Sequence, residues 1–236
     1  MQCVILAAGR GKRMGDLTNN IPKPLLEVKG RPILEYTLIN LPEKISEVIF
    51  IIGYKGDLIK SYFGNKWRNK KIKYVVQEKL NGTGGALHYA KEFLEDKFLV
   101  LNGDDLYYFL DLERLINNEP PALLAKEMDN LGRLGAVKID ADGYLSEIIE
   151  SGESRDENLK LANIGVYLLN KEFFDYPLIK RVSKPDDEEF GLPQTLGGMA
   201  KDYKIKVEKA EFWLPIGYPE DIIKAEKVID KYGKRL

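Results

Sequence analysis

The sequence predicts an α/β protein with a mixed, mostly parallel sheet between helix layers. Three observations carry this. In the first half, short apolar runs alternate with stretches of helical spacing, which implies parallel strands covered on both faces. In the second half, strand-like segments follow one another, with "DADG" as a turn signal between two of them, which implies a more antiparallel arrangement. No repeat, low-complexity linker or composition break divides the 236 residues. One domain is therefore expected, with halves of about 1–110 and about 111–236.

Along the chain, "QCVILA" is an apolar run that ends at glycines and reads as a buried strand. "PILEYTLINL" has helical spacing, "SEVIFIIG" reads as a strand and "KGDLIKSYF" as a helix. "IKYVVQE", "GGALHYAKEFL" and "KFLVLNGDD" continue the alternation as strand, helix and strand. "PALLAKEM", "RLGAVKI", "YLSEIIES" and "LANIGVYLLN" are the strand-like segments of the second half. "PEDIIKAEKVIDKYGK" opens with proline and acids and closes with lysine, as a helix does.

Composition excludes several classes. Hydrophobic residues make up 44%, enough for a sizeable core without staples. The net charge of −1 argues against a general nucleic-acid binder, although a local basic pocket is compatible with it. The single cysteine, Cys3, excludes an internal disulfide scaffold and reads as a small core residue. No basic leader precedes the first apolar run, and no run approaches the ~18 residues of a membrane span. A cytoplasmic protein is expected, with no nucleic-acid or membrane partner and with homo-oligomerisation left open.

Ligands of open α/β sheets sit beyond the carboxyl ends of the strands. Three such ends are informative: "LAAGRGKRM", "VVQEKLNGTGGAL" and "VLNGDDL". In the first, Gly9 and Gly11 can take positive φ and let the backbone approach a ligand, while successive N–H groups form an anion nest. Arg10, Lys12 and Arg13 add charge. The loop is not a Walker A motif, since no G-K-[ST] follows, and Met14 breaks G-x-G-x-x-G. The second strand ends in "IIGYKG", without an acid for a ribose hydroxyl. Downstream, Lys23 lies between two prolines, which is expected to hold it on a stiff, extended segment aimed at one place. His88, Trp67 and Trp213 read as structural, and the "PDDEE" run at 185–189 as a solvated loop.

"LAAGRGKRMGDLTNNIPKPLLEVKGRPILEY" resembles the signature of the sugar-1-phosphate nucleotidyltransferases, and "QEKLNGTGGA", "NGD", "NIGVYLL" and "GYPEDIIKAE" extend the likeness over nearly the whole chain. The resemblance implies the nucleotide-diphospho-sugar transferase (Rossmann-like) fold, with a nucleotide-binding first half and a sugar-binding second half. It implies a reaction of NTP with sugar 1-phosphate to give NDP-sugar and pyrophosphate, in which positioning and charge neutralisation dominate. By similarity, Ala8, Gly9, Gly11 and Lys12 hold nucleotide and phosphates. Arg13 steadies the leaving pyrophosphate, and Lys23 the phosphates at the reacting centre. Gln77 reads the base edge, with Gly82 and Thr83 in the turn beside it. Relatives that transfer guanylyl groups tend to have an acid near the Gln77 position, so Gln77 favours UTP or dTTP. Asp104 matches a Mg²⁺ ligand, and Gly135, Glu150 and Asn163 match sugar contacts. "FGLPQTLG" is a further candidate for shaping the sugar pocket.

Two positions depart from the family pattern. Ser151 stands where relatives carry a lysine for the sugar phosphate, and Pro215 where they carry an aspartate as second metal ligand. Asp105 and Asp221 are candidates to compensate. Two other readings stay open: a non-catalytic homologue that binds nucleotide or nucleotide sugar and regulates a partner, and a cytidylyltransferase acting on a non-sugar phosphate.

Overall fold

The computed structural model describes residues 1–150, 156, 158–181 and 188–232. In the first half run strands β1 (Gln2–Ala7), β2 (Glu27–Val28) and β3 (Arg31–Pro32), then helix α1 (Ile33–Ile39), β4 (Glu47–Ile52) and α2 (Gly56–Phe63). They are followed by β5 (Lys66–Trp67), β6 (Lys70–Val76), α3 (Gly82–His88), β7 (Lys97–Asn102), β8 (Leu106–Tyr107) and α4 (Phe109–Ile116). The second half holds β9 (Ala122–Glu127), β10 (Ala136–Ile139), β11 (Leu145–Ile149) and β12 (Leu161–Asn170). It ends with α5 (Leu192–Met199), β13 (Lys206–Ala210), β14 (Trp213–Leu214) and α6 (Pro219–Tyr232).

Ten strands from both halves form one sheet, in the order β11-β10-β12-β7-β1-β4-β6-β5, with β9 paired to β12 and β13 to β9. The pairs β7–β1, β1–β4 and β4–β6 are parallel, as the continuous apolar runs require. β12 runs antiparallel to β7, β9 and β10, and β10 antiparallel to β11. The expected switch from parallel to antiparallel thus falls at the β7–β12 pair.

Alternation along the central strands builds two cores, because successive side chains point to opposite faces. Cys3, Ile5, Phe50, Leu99 and Leu101 face the layer carrying Leu34 and Leu38 of α1, Ile59 and Phe63 of α2, and Leu112 and Leu115 of α4. Val4, Ile49, Ile51, Phe98 and Val100 face Ala86 and Leu87 of α3 and Leu192, Leu196 and Met199 of α5. A third, smaller cluster joins Met14, Val28, Ile33, Ile216 and Ala225, and packs α6 against the hairpin β2–β3. Parallel pairing brings the ends of β1, β4, β6 and β7 to one edge. There Tyr54 N–H donates to Ala8 O, Gln77 N–H to Ile52 O and Gly103 N–H to Leu6 O, at 3.1, 2.8 and 3.0 Å. Gly53 must lack a side chain here, since a Cβ would lie 2.9 Å from Ala8 O. Among the described residues, no helix is long and apolar enough to cross a membrane.

Candidate active site

The strand ends open into a cleft of about 1080 Å³. Every site residue named from the sequence lines it. Ala8, Gly9, Gly11, Lys12 and Arg13 come from the first loop, and Lys23 and Asp104 from its floor. Gln77, Gly82 and Thr83 form one end, and Gly135, Glu150 and Asn163 the other. Ser151 lies outside the described residues, as does most of the "PDDEE" run.

The glycine loop differs locally from expectation. Only Gly11 takes a left-handed conformation, at φ 64°. Gly9 is not among the glycines of positive φ, and a Cβ there would meet nothing within 4 Å. No α-helix follows: residues Lys12–Thr18 form 3₁₀ turns broken at Gly15, opened by Met14 N–H donating to Gly11 O at 2.9 Å. The Lys12 and Arg13 side chains stay exposed at the mouth.

Lys23 is not extended. It opens a 3₁₀ turn, Lys23–Leu25, closed by Leu25 N–H to Pro22 O and Leu26 N–H to Lys23 O. Pro24 fits because the first turn of a helix needs no donor from it. The turn buries the Lys23 side chain to 7% exposure and sets its Nζ 2.7 Å from Asp104 Oδ2. Asp104 itself is 36% exposed, towards the cleft.

Asp105 also borders the cleft, but its carboxylate is turned to the segment at 213–216. Its Oδ2 accepts from Trp213 Nε1 and its Oδ1 from the Ile216 N–H, at 3.1 and 3.0 Å. Burial, with Asp104 beside it, pushes its carboxyl up to about 7 against the pull of Lys23 and these donors. Asp105 therefore ties down the segment that presents Pro215 to the cleft, and both its oxygens are engaged. Asp221 is also committed: Oδ2 accepts from the N–H of Gly217 and Tyr218, and Oδ1 from Lys224 Nζ. Neither acid turns a free oxygen to the site. Trp213, expected only to pack, is a buried donor in this network. His88 and Trp67 are structural as expected: His88 packs on Phe174, and Trp67 on Phe63.

At the other end, Gln77 is buried and its Nε2 donates to Asn81 Oδ1 and Gly82 O, at 3.0 and 3.3 Å. Both amide hydrogens are thereby used, so Gln77 offers the cleft its carbonyl oxygen, an acceptor. Gly82 has φ 88°, and a Cβ there would lie 2.4 Å from Phe190 O. Thr83 does structural work: its Oγ1 accepts the Leu192 N–H at 3.0 Å, which ties the turn to the start of α5. Phe190, Gly191, Pro193 and Gln194 of "FGLPQTLG" do line the cleft.

In the second half, a bulge in β12 with Gly165 at φ 71° makes room for Asn102; a Cβ at Gly165 would meet Asn102 Nδ2 at 2.0 Å. Asn163 Oδ1 accepts from Tyr167 Oη at 3.0 Å and Gly165 N–H at 3.3 Å, which leaves Nδ2 as a donor towards the cleft. A Cβ on Gly135 would stand 2.9 Å from Glu150 Oε1, so a larger residue there would push that carboxylate aside. Sequence reasoning missed Arg133 and Tyr218, which also line the cleft. Arg133 Nη1 donates to Tyr218 Oη at 2.9 Å, and Arg13 lies over the same ring. Arg133 opens "RLGAVKI" and Tyr218 stands in "GYPEDIIKAE", and only the fold brings the two stretches together.

The family model described as nucleotidyl transferase matches residues 2–231. The chain is 34% identical over 233 residues to the bifunctional protein GlmU of Methanocaldococcus jannaschii, covering 98% of this chain and 55% of GlmU. It thus spans about half the length of the GlmU proteins it matches. It is also 34% identical over 228 residues to the D-glycero-alpha-D-manno-heptose 1-phosphate guanylyltransferase of Campylobacter jejuni, covering 94% of this chain and 96% of that one. The crystal structure of a UDP-glucose pyrophosphorylase complexed with UDP-glucose shares the fold, with a TM-score of 0.82 at 20% identity and 98% of each chain covered.

Proposed function

Because the chain belongs to the nucleotidyl transferase family, we propose that it transfers a nucleotidyl group from an NTP to a sugar 1-phosphate, releasing NDP-sugar and pyrophosphate. The observation that carries the reading is one cleft lined by a glycine loop, Arg13, Lys23 and Asp104, with Gln77 and also Glu150 and Asn163 in its walls. A phosphate oxygen of the sugar forms the new bond to the α-phosphorus in line, and the bond to the bridging oxygen of pyrophosphate breaks. The chain's own share is to orient and neutralise. The backbone at Ala8, Gly9 and Gly11, with Lys12, receives the nucleotide and its phosphates. Arg13 meets the leaving pyrophosphate. Lys23 exchanges Asp104 for phosphate oxygens, and Asn163 and Glu150 orient the sugar hydroxyls.

The donor set suits Mg²⁺ brought mainly by phosphates, since such a cation takes one or two carboxylates and keeps its waters. Asp104 would hold it, and its Oδ1 has no protein partner among the described residues. When bound, the cation supplies positive charge against the triphosphate. Among the described residues, no group of three or more His, Cys, Asp or Glu side chains could hold a metal by itself.

Gln77 bears on the base. An acceptor in this position suits a ring N–H, which uracil, thymine and guanine have at that edge and cytosine and adenine lack. The Gln77 side chain supports UTP or dTTP, and the likeness to a guanylyltransferase supports GTP as a further candidate. Cytosine would have to meet the same oxygen through its exocyclic amino group, since its ring nitrogen is an acceptor. A second reading, nucleotide binding without turnover, draws support from Pro215 at the cleft. Pyrophosphate release assayed with NTP alone, sugar 1-phosphate alone and both together tests the choice. Release only with both is expected; nucleotide-induced stabilisation without release would favour the second reading.

A further inference from the structure

We propose that Arg133 is a substrate-binding residue that grips the phosphate of the sugar 1-phosphate, with Tyr218 as the post that positions it. This rests on the transferase reading and extends it to a residue with no role assigned so far.

Two guanidinium groups converge on one phenol. Arg133 Nη1 donates to Tyr218 Oη at 2.9 Å, while Arg13 Cζ lies 5.6 Å from the centroid of the same ring. All three residues line the cleft. The main chain at Tyr218 is anchored, since its backbone N–H donates to Asp221 Oδ2 at 2.9 Å. Among the described residues, neither Arg13 nor Arg133 forms an ion pair with a carboxylate. Asp221, whose Oδ2 lies near Gly217 as Arg13 Nη1 does, already bonds Lys224. By contrast, Arg31 pairs with Glu35, and Arg114 with Asp111, Glu208 and Glu211. Two cations that meet at one phenol, with no carboxylate paired to either among the described residues, favour an anion between or beside them. The positive surroundings also show in Tyr218, whose phenol is held below its ordinary value by the Arg133 hydrogen bond first and by Arg13 next.

Position assigns the anion. Arg13 belongs to the glycine loop of the nucleotide side. Arg133 lies two residues before Gly135, whose carbonyl accepts the Asn163 N–H at 2.8 Å and whose open Cα face admits Glu150. Arg133 is therefore carried by the sugar side, and Tyr218 marks the seam between the two. An in-line transfer needs negative charge met on both sides of the α-phosphorus: on the leaving pyrophosphate and on the incoming phosphate. Arg13 serves the first and Arg133 the second, where a planar fork of donors matches phosphate oxygens better than an ammonium would.

The test compares wild type with Arg133→Met, Arg133→Lys and Tyr218→Phe, in two assays. In steady-state pyrophosphate release, Arg133→Met should raise KM for sugar 1-phosphate by about 10-fold or more and leave KM for the NTP within about 2-fold. Arg133→Lys should recover part of the loss, and Tyr218→Phe should shift the same KM by a smaller factor. In thermal unfolding without nucleotide, inorganic phosphate at constant ionic strength should stabilise wild type, and Arg133→Met should lose most of that shift. Active wild type with an unchanged sugar-phosphate KM in Arg133→Met overturns the inference and leaves the transferase reading standing. Inactive wild type overturns the reading. The phosphate arm then decides alone: a shift lost in Arg133→Met upholds the anion site, and a shift equal in both proteins, or absent from wild type, overturns it.

Discussion

Separating Lys23 from Asp104 should show how the resting site stores its charge. At 2.7 Å, the pair attracts by about 6 kcal/mol at an effective dielectric constant of ~20. Desolvation of the ammonium removes most of this, and water reaching the 36%-exposed carboxylate screens more. A coupling of about 1–2 kcal/mol remains. The two single substitutions should differ. Asp104→Asn leaves an ammonium buried to 7% exposure facing a neutral amide, at a cost of about 1–3 kcal/mol. Lys23→Met keeps the packing and leaves a carboxylate that water can solvate, so its cost should stay below about 1 kcal/mol. For a chain of 236 residues, the unfolding entropy is about 0.5 kcal/mol/K, so each kcal/mol moves Tm by about 2 °C. Thermal unfolding of wild type, both single variants and the double variant closes the cycle. Asp104→Asn is expected to fall by about 2–6 °C and Lys23→Met by no more than ~2 °C. A coupling of zero, or the reverse order of costs, would refute the claim that a buried cation waits on Asp104. Both variants should lose turnover by at least ~100-fold, because each removes charge at the reacting centre.

Gly82→Ala forces a Cβ onto Phe190 O at 2.4 Å from a backbone at φ 88°. It should cost about 2–4 kcal/mol in denaturant unfolding and abolish nucleotide-induced stabilisation; a stable variant that binds nucleotide normally would contradict the role given to the turn. Asp105→Ala removes the acceptor for Trp213 Nε1 and Ile216 N–H and should lower stability by about 2–4 kcal/mol, read as a drop in Tm. A shift under ~0.5 kcal/mol would mean that the Pro215 segment does not depend on it. His88, the sole histidine, is half-buried, which lowers its pKa from 6.5 in the folded state against a smaller opposing effect of its bond to Gly84 O. The unfolded chain then takes the proton first, so this stability is present above about pH 6.5 and is lost as pH falls through the depressed value. The Tm of wild type minus that of His88→Gln should decline from pH 7.5 to 5.5; parallel curves would exclude the effect.

The parallel core was legible because β1, β4 and β7 are apolar on both faces and end at glycine or carboxylate. The edge was not. β13 reads "KVEKA", two lysines and a glutamate among its five residues, and only its parallel pairing with β9 makes it a strand. α5 reads "LPQTLGGM", whose two glycines weaken any helical signal, yet it docks on α3 and β11 and completes the second core. In the site, residue types were readable and their commitments were not. That Asp104 meets Lys23 while Asp105 holds Trp213 and Ile216 is set by the turn after β7, not by strand alternation, which ends at Asn102. That Gln77 shows its oxygen and not its nitrogen depends on Asn81 and Gly82. Arg133 and Tyr218 are 85 positions apart, and no motif joins them.

The central claim is transfer between an NTP with a ring N–H and a sugar 1-phosphate. It is tested most directly by one competition, with equal UTP, dTTP, GTP, CTP and ATP, a panel of sugar 1-phosphates and Mg²⁺, and products identified by mass. The expected result is an NDP-sugar carrying uracil, thymine or guanine, formed in step with pyrophosphate. An NDP-sugar carrying cytosine or adenine would contradict the reading of Gln77. No NDP-sugar from any pairing, with nucleotide still bound, would contradict the claim of catalysis.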